Sequence, residues 1–190
     1  MSDTGPLTGE PLALDLVNTR PLSGDGPVDL LDTPERLASW LDLEPALQEE
    51  VGDAVPTAAD LVAVHAVREH IDVAVHALLH GTRPPKTALR GLTEAQRAAP
   101  AVWELDWDGA AVIATARRGG RLGVRLAARL AEAAVDLLAQ PAIRRLRECE
   151  ADDCVMLFLP AHPRRRWCSP TRCGNRARVA RYYHRHKASS

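Results

Sequence analysis

The sequence is poor in cysteine, in aromatic residues and, over its last part, in acid. Only four cysteines occur among 190 residues, all between Cys149 and Cys173, so no thiol elsewhere is left to explain. Aromatics make up 4% of the chain, which leaves Leu, Val and Ala to fill most of any core. No apolar run approaches the roughly 18 residues that a membrane-spanning helix needs. Residues Met1 to Glu10 contain neither a basic stretch nor an apolar one. No secretory signal is read there, and a cytoplasmic location is expected. No nucleophile elbow, P-loop or G-x-G-x-x-G motif appears. His76 and His80 stand four apart on an expected helix, but no third ligand accompanies them at useful spacing, so they read as ordinary helix residues. An enzymatic site would have to use Asp15, Asn18 and Arg20. No paired base or nucleophile accompanies them, and they read instead as strand-end and turn residues, so no enzyme is expected.

The missing acid is localised. Through Ala161 the chain carries 25 acidic and 15 basic residues, a net of −10; from His162 onward it carries nine basic and none acidic, a net of +9. An asymmetry of this size points to an anionic partner for the basic end, or to docking of that end on the acidic part of the chain.

The cysteines form two pairs, Cys149 with Cys154 and Cys168 with Cys173, joined by a hairpin-sized segment. Two such pairs bring four thiolates around one ion, the arrangement of a closed structural Zn²⁺ site. Two disulfides would instead require an oxidising compartment. Four thiolates also leave no open position for a catalytic water. One structural Zn²⁺ held by Cys149, Cys154, Cys168 and Cys173 is the expectation. A module of about forty residues is too small to build its own core, and the metal replaces that core.

Along the rest of the chain the expected fold class is α+β. Leu12, Leu14 and Leu16 alternate as in a strand, while Leu12, Leu16 and Val17 also share one face of a short helix, so that segment reads either way. Thr33-Pro34-Glu35 opens a helix through Trp40 and Leu41, and a short one covers 45–51. Thr57, with Asp60 three residues on, opens a long amphipathic helix that Gly81 and the Pro84-Pro85 pair end. Residues 87–99 read as a weaker helix interrupted by Gly91. The strict alternation of 103–107, then Asp108-Gly109, then 110–116, predicts a β-hairpin. A second long helix runs from Leu122 to Ala139. The domain boundary falls near Gln140, giving a mostly helical domain over 1–140 and a zinc module over 141–190.

In that module an apolar strand over 155–159 is followed by turns at Pro160 and Pro163. Trp167 packs on Phe158 or Leu157, and a helix runs from Cys173 to about His186. Knuckle, hairpin and helix make a treble-clef arrangement. Arg164, Arg165 and Arg166 precede the third cysteine. Arg178, Arg181 and Arg185 form a stripe on one side of the helix, Arg172 and Arg176 lie on the other, and Asn175 and Lys187 complete the candidate nucleic-acid contacts. Arg176 has a second reading, as an ion-pair partner of Asp152 or Asp153. Guanidinium groups bind phosphate through paired hydrogen bonds, and a basic helix on a zinc-held module suits nucleic acid.

The segment W-C-S-P-T-R-C-G-N-R-A-R-V-A-R-Y-Y resembles the CGNR zinc-finger family, whose name is spelled by Cys173-Gly174-Asn175-Arg176. Leu12 to Thr19 and Asp32 to Leu41 look like the N-terminal domain usually joined to that finger. The resemblance implies a bacterial, stress-responsive transcription regulator that binds DNA. Its N-terminal domain would sense a small-molecule effector or form a homodimer. RNA binding or protein docking by the same charges is the other reading. The family tends to carry an Asp and then a Ser or Thr after Leu157-Phe158, where this chain has Pro160 and His162.

Overall fold

Helices supply the body of the molecule because the sequence offers long apolar stripes at helical spacing and few β-branched runs. The structure, a computed structural model, describes residues 5–23, 26–179 and 182. In chain order the elements are α1 (Leu12–Val17), β1 (Leu22–Ser23), β2 (Gly26–Pro27), α2 (Pro34–Leu41), a 3₁₀ turn at Pro45–Leu47 and α3 (Gln48–Val51). Then come α4 (Ala58–Leu79), α5 (Lys86–Ala98), β3 (Val102–Trp107), β4 (Val112–Arg117) and α6 (Leu122–Ala139). A 3₁₀ turn at Pro141–Arg145 leads to β5 (Arg147–Glu148), β6 (Leu157–Phe158) and a π-helical turn at Pro170–Gly174. Three two-stranded antiparallel pairs, β1-β2, β3-β4 and β5-β6, are the β-structure among the described residues.

Helices α4, α5 and α6 pack on one another, and α1 lies across α4 and α6. The ambiguous segment at 12–17 is the helix of its two readings. The start of α4 matches its signal: Thr57 Oγ1 accepts from the Asp60 backbone N–H at 3.4 Å, and Asp60 Oδ2 accepts from that of Thr57 at 2.9 Å. Thr33 caps α2 by accepting from the Arg36 N–H. Helix α5 runs through Gly91 without a break; a Cβ there would stand 2.2 Å from the His70 ring, so the glycine serves close packing on α4. The core holds Leu14, Leu16, Trp40, Ile71, Leu126 and Leu130, and it continues past residue 140 into Ile143, Leu146 and Leu157.

One arginine is fully enclosed. The Arg68 side chain on α4 has no exposed surface, and it donates to Thr19 Oγ1 at 2.8 Å and to both carboxylate oxygens of Asp29. A buried guanidinium needs such partners, and these tie the loop between α1 and α2 onto α4. The hairpin is anchored at its root. Arg118, which follows β4, is 2% exposed, donates to Ala99 O at 2.6 Å and to Glu50 at 3.0 Å, and reaches Glu132.

A candidate zinc centre and the junction it shares with the helical domain

Strands β5 and β6 bring the first pair of cysteines together. Cys149 follows β5 and donates its N–H to Met156 O at 2.9 Å, while a tight turn places Cys154 N–H on Ala151 O at 3.0 Å. The second pair is fixed by a helix start. Ser169 is the cap, with its Oγ accepting from the Arg172 N–H at 3.3 Å, and Pro170 takes the first helical position. The turn is π-helical, since Gly174 N–H reaches Ser169 O at 3.0 Å. Helical structure continues over 175–179. The expected start at Cys173 is therefore too late. Ser-Pro is the helix-start signal that finds it, and Cys173 lies inside the first turn. Gly174 fits because a Cβ there would come within 3.3 Å of the Trp167 ring. Trp167 packs against the buried cluster that holds Phe158, whereas Leu157 joins the core of the helical domain.

The four sulfurs lie within 4.8 Å of one another. Cys154 Sγ and Cys168 Sγ are 3.8 Å apart, and Cys168 Sγ and Cys173 Sγ are 3.5 Å apart. Tetrahedral thiolates at a Zn–S distance of about 2.3 Å stand about 3.8 Å apart, so the donor set fits one zinc ion. Hydrogen bonds from Cys154 and Cys168 push Cys149 down to about 2, and the bond to that thiolate pushes Cys154 up to about 12. Four thiolates this close need a divalent cation. Cys149 Sγ also accepts from the Cys168 N–H at 3.3 Å, and Cys173 Sγ accepts from Arg176 at 3.1 Å.

The arginines divide into two sets. Arg165 donates to Glu10 Oε1 and to Cys168 O, each at 2.6 Å, and its guanidinium lies 4.4 Å above the Phe158 ring. That geometry commits it to the interior of the junction. Arg166 pairs with Glu150 at 2.5 Å. Arg176 pairs with Asp153 at 2.6 Å, which is its second expected role. Arg164 and Arg178 are exposed, and Arg178 donates to Asn175 Oδ1 at 2.8 Å. Arg172 reaches Gly5 O at 2.8 Å. Arg181, Arg185 and Lys187 lie outside the described residues.

Asp15, Asn18 and Arg20 each bond to other parts of the fold. Asn18, buried at the end of α1, donates to Leu157 O at 2.9 Å and accepts from the Leu157 N–H at 2.8 Å, acting as a strand partner for β6. Arg20 pairs with Glu69 at 3.0 Å and with Asp29 at 3.7 Å. Asp15 accepts from Gly9 N–H and Glu10 N–H. Glu10, which sequence reasoning missed, accepts from the Leu159 N–H at 3.0 Å as well as from Arg165. It sits in a lead-in without periodicity, so no local signal marks it.

Above this junction a cavity of about 930 Å³ opens between the two parts of the chain. Leu22, Leu30 and Arg36 line one side, and Met156, Arg172 and Val179 the other. Three zinc-site cysteines, Cys154, Cys168 and Cys173, reach its wall. No helix of the described residues is long and apolar enough to cross a membrane.

A family model described as a putative stress-induced transcription regulator, named ABATE, matches residues 10–141. A CGNR zinc-finger model matches residues 145–186. Comparison with curated proteins returns no match.

Proposed function

Since the chain belongs to the ABATE family, described as a putative stress-induced transcription regulator, and carries a CGNR zinc finger, we propose that it regulates transcription by binding duplex DNA through that finger. The finger is read as a treble clef whose helix carries the contacts. The observation that carries the reading is the acid-free segment from His162 onward, which contains the helix start at Ser169-Pro170 and exposes Arg164 and Arg178. Arg165, Arg166 and Arg176 hold carboxylates; phosphate contact is assigned to Arg164, Arg178, Arg181, Arg185 and Lys187, and to Arg172 although it also holds Gly5 O. The cavity at the junction supports an effector site, because a small molecule seated there touches the helical domain and the zinc knuckle together. Nothing in this reading requires the protein to be an enzyme.

If four to six of those cations meet phosphates, log K for a duplex falls against log salt with a slope of roughly −4 to −5. Replacing Arg178, Arg181 and Arg185 together flattens the slope and weakens all sequences alike. Replacing Arg176 lowers stability and leaves sequence preference unchanged, because Arg176 pairs with Asp153 and with a zinc-site sulfur. Binding titrations of zinc-loaded protein at several salt concentrations check this. No binding to any duplex at low salt, with zinc present, overturns DNA as the partner. Preferential binding of RNA or of an acidic protein surface would replace it.

A further inference from the structure

Strands β3 and β4 are exposed along almost their whole length. Their register pairs Trp103 with Ala116, Leu105 with Ala114 and Trp107 with Val112. These six residues form one face of the hairpin, and the face carries no charge. Every charged side chain of the two strands, Glu104, Asp106 and Arg117, lies on the opposite face. Trp103 is 67% exposed, Leu105 72%, Trp107 61% and Val112 65%. The chain has only four tryptophans, and two of them stand in solvent on this ribbon. A lone two-stranded hairpin is marginal in water, and the anchored Arg118 root presents this one as a fixed arm.

We propose that this face is a homodimer interface, in which the Trp103–Leu105–Trp107 side of one chain stacks on the same side of a second copy. Area supports the occupant. Two tryptophans at this exposure leave roughly 300 Å² open; with Leu105, Val112 and the alanines the face offers roughly 500 Å² per chain. Two copies then bury about 1,000 Å², the lower bound for a specific interface. An uncharged face is also compatible with itself across a two-fold axis, since no like charges meet. Nucleic acid and anionic membranes fit less well. Residues 102–117 carry three acidic groups and one basic, a net of −2, with Asp108 at the tip. The interface does not depend on what the finger binds.

The test is light scattering on the full zinc-loaded chain across a micromolar concentration series, with tryptophan emission read in parallel. A dimer mass and a blue-shifted emission at the upper end are expected. The double variant Trp103→Lys, Trp107→Lys should keep its zinc and helical signal and bind itself at least ~100-fold more weakly. Leu105→Cys, at the middle of the face, should cross-link to its own copy under mild oxidant, whereas Glu104→Cys, on the opposite face, should not. A wild-type chain that stays monomeric throughout overturns the proposal and leaves the face to a different protein. A dimer that survives the double lysine variant, or cross-linking that is equal at 104 and 105, overturns it as well.

Discussion

At the residue scale, two buried carboxylates contribute stability that falls as pH rises. Glu44 is 6% exposed, and its Oε1 has no hydrogen-bond partner among the described residues. Burial pushes Glu44 up to about 7. Burial does the same to Asp15, also to about 7, with help from the nearby Glu44 charge and against the pull of the Gly9 N–H. A carboxyl whose folded pKa is raised binds its proton more tightly in the native state. Its contribution is full below the unfolded value near 4.5 and is lost as pH rises towards 7. His76, pushed up to about 9 by the Asp72 carboxylate beside it, acts in the same direction: its contribution is present below 6.5 and lost as pH rises through 9. Glu44→Gln is a neutral isostere of the protonated form. It should therefore be more stable than wild type at pH 8, by ~1–3 kcal/mol, and this advantage should shrink towards zero at pH 5. Denaturant titrations of both proteins at saturating zinc check it. Zinc affinity also changes with pH, but it cancels between wild type and variant. An equal difference at the two pH values would show that Glu44 is not the titrating group.

At the element scale, helices α4 and α6 come into close contact where Gly123 faces Asp60. The Gly123 N–H donates to Asp60 Oδ1 at 2.6 Å, so one carboxylate both caps α4 and seats α6. A Cβ on Gly123 would lie 2.6 Å from Asp60 Cα, which is backbone and cannot rotate away. Gly123→Ala should destabilise by ~1–4 kcal/mol, overpacking and the strained bond outweighing the better helix propensity of Ala. Gly119→Ala, with open space around it, should stay within about 0.5 kcal/mol. Urea unfolding of the pair separates packing from propensity. This contact was not legible in the sequence, although both ends of it were. The Thr57–Asp60 box, the Leu122–Ala139 helix and the Asp108-Gly109 turn are local events, carried by spacing and capping chemistry over a few residues. The four cysteines were legible for the same reason, as two short-range pairs. What stayed hidden depends on partners far apart in sequence. Gly91 reads as a helix breaker until His70 is beside it. Asn18 reads as a turn residue until Leu157 arrives 139 positions later. Arg165 looks like one of three equivalent arginines until Glu10 takes its guanidinium.

At the scale of the whole molecule, the helical body and the zinc module share a core. Ile143, Leu146 and Leu157 belong to the same buried cluster as Leu14, Ile71 and Leu126. Asn18 fixes Leu157 by two backbone bonds, and Glu10 fixes Leu159 and Arg165. Zinc held by Cys149 and Cys154 would fix β6 in the shape these partners need, because the Cys149 N–H bonds Met156 O and the Cys154 N–H closes the turn before it on Ala151 O. Loss of the metal releases β6, and with it Leu157, which is fully buried, and the docking of Ile143 and Leu146. Each such side chain contributes roughly 1.5–3 kcal/mol by burial, so the helical body should lose several kcal/mol although none of its own residues binds zinc. At about 2–4 °C per kcal/mol for a chain of this size, the helical melt followed by circular dichroism should drop by roughly 10 °C after chelation, and by a similar amount in Cys154→Ser. Asn18→Ala should lower the melt of the zinc-bound protein and shrink the further drop on chelation, because the two parts are then already partly uncoupled. A helical melt indifferent to zinc would mean that the two parts fold independently. The junction cavity could then not pass a signal from the helical body to the finger through the shared core, and any regulation would have to act through the ligand's own contacts with both sides.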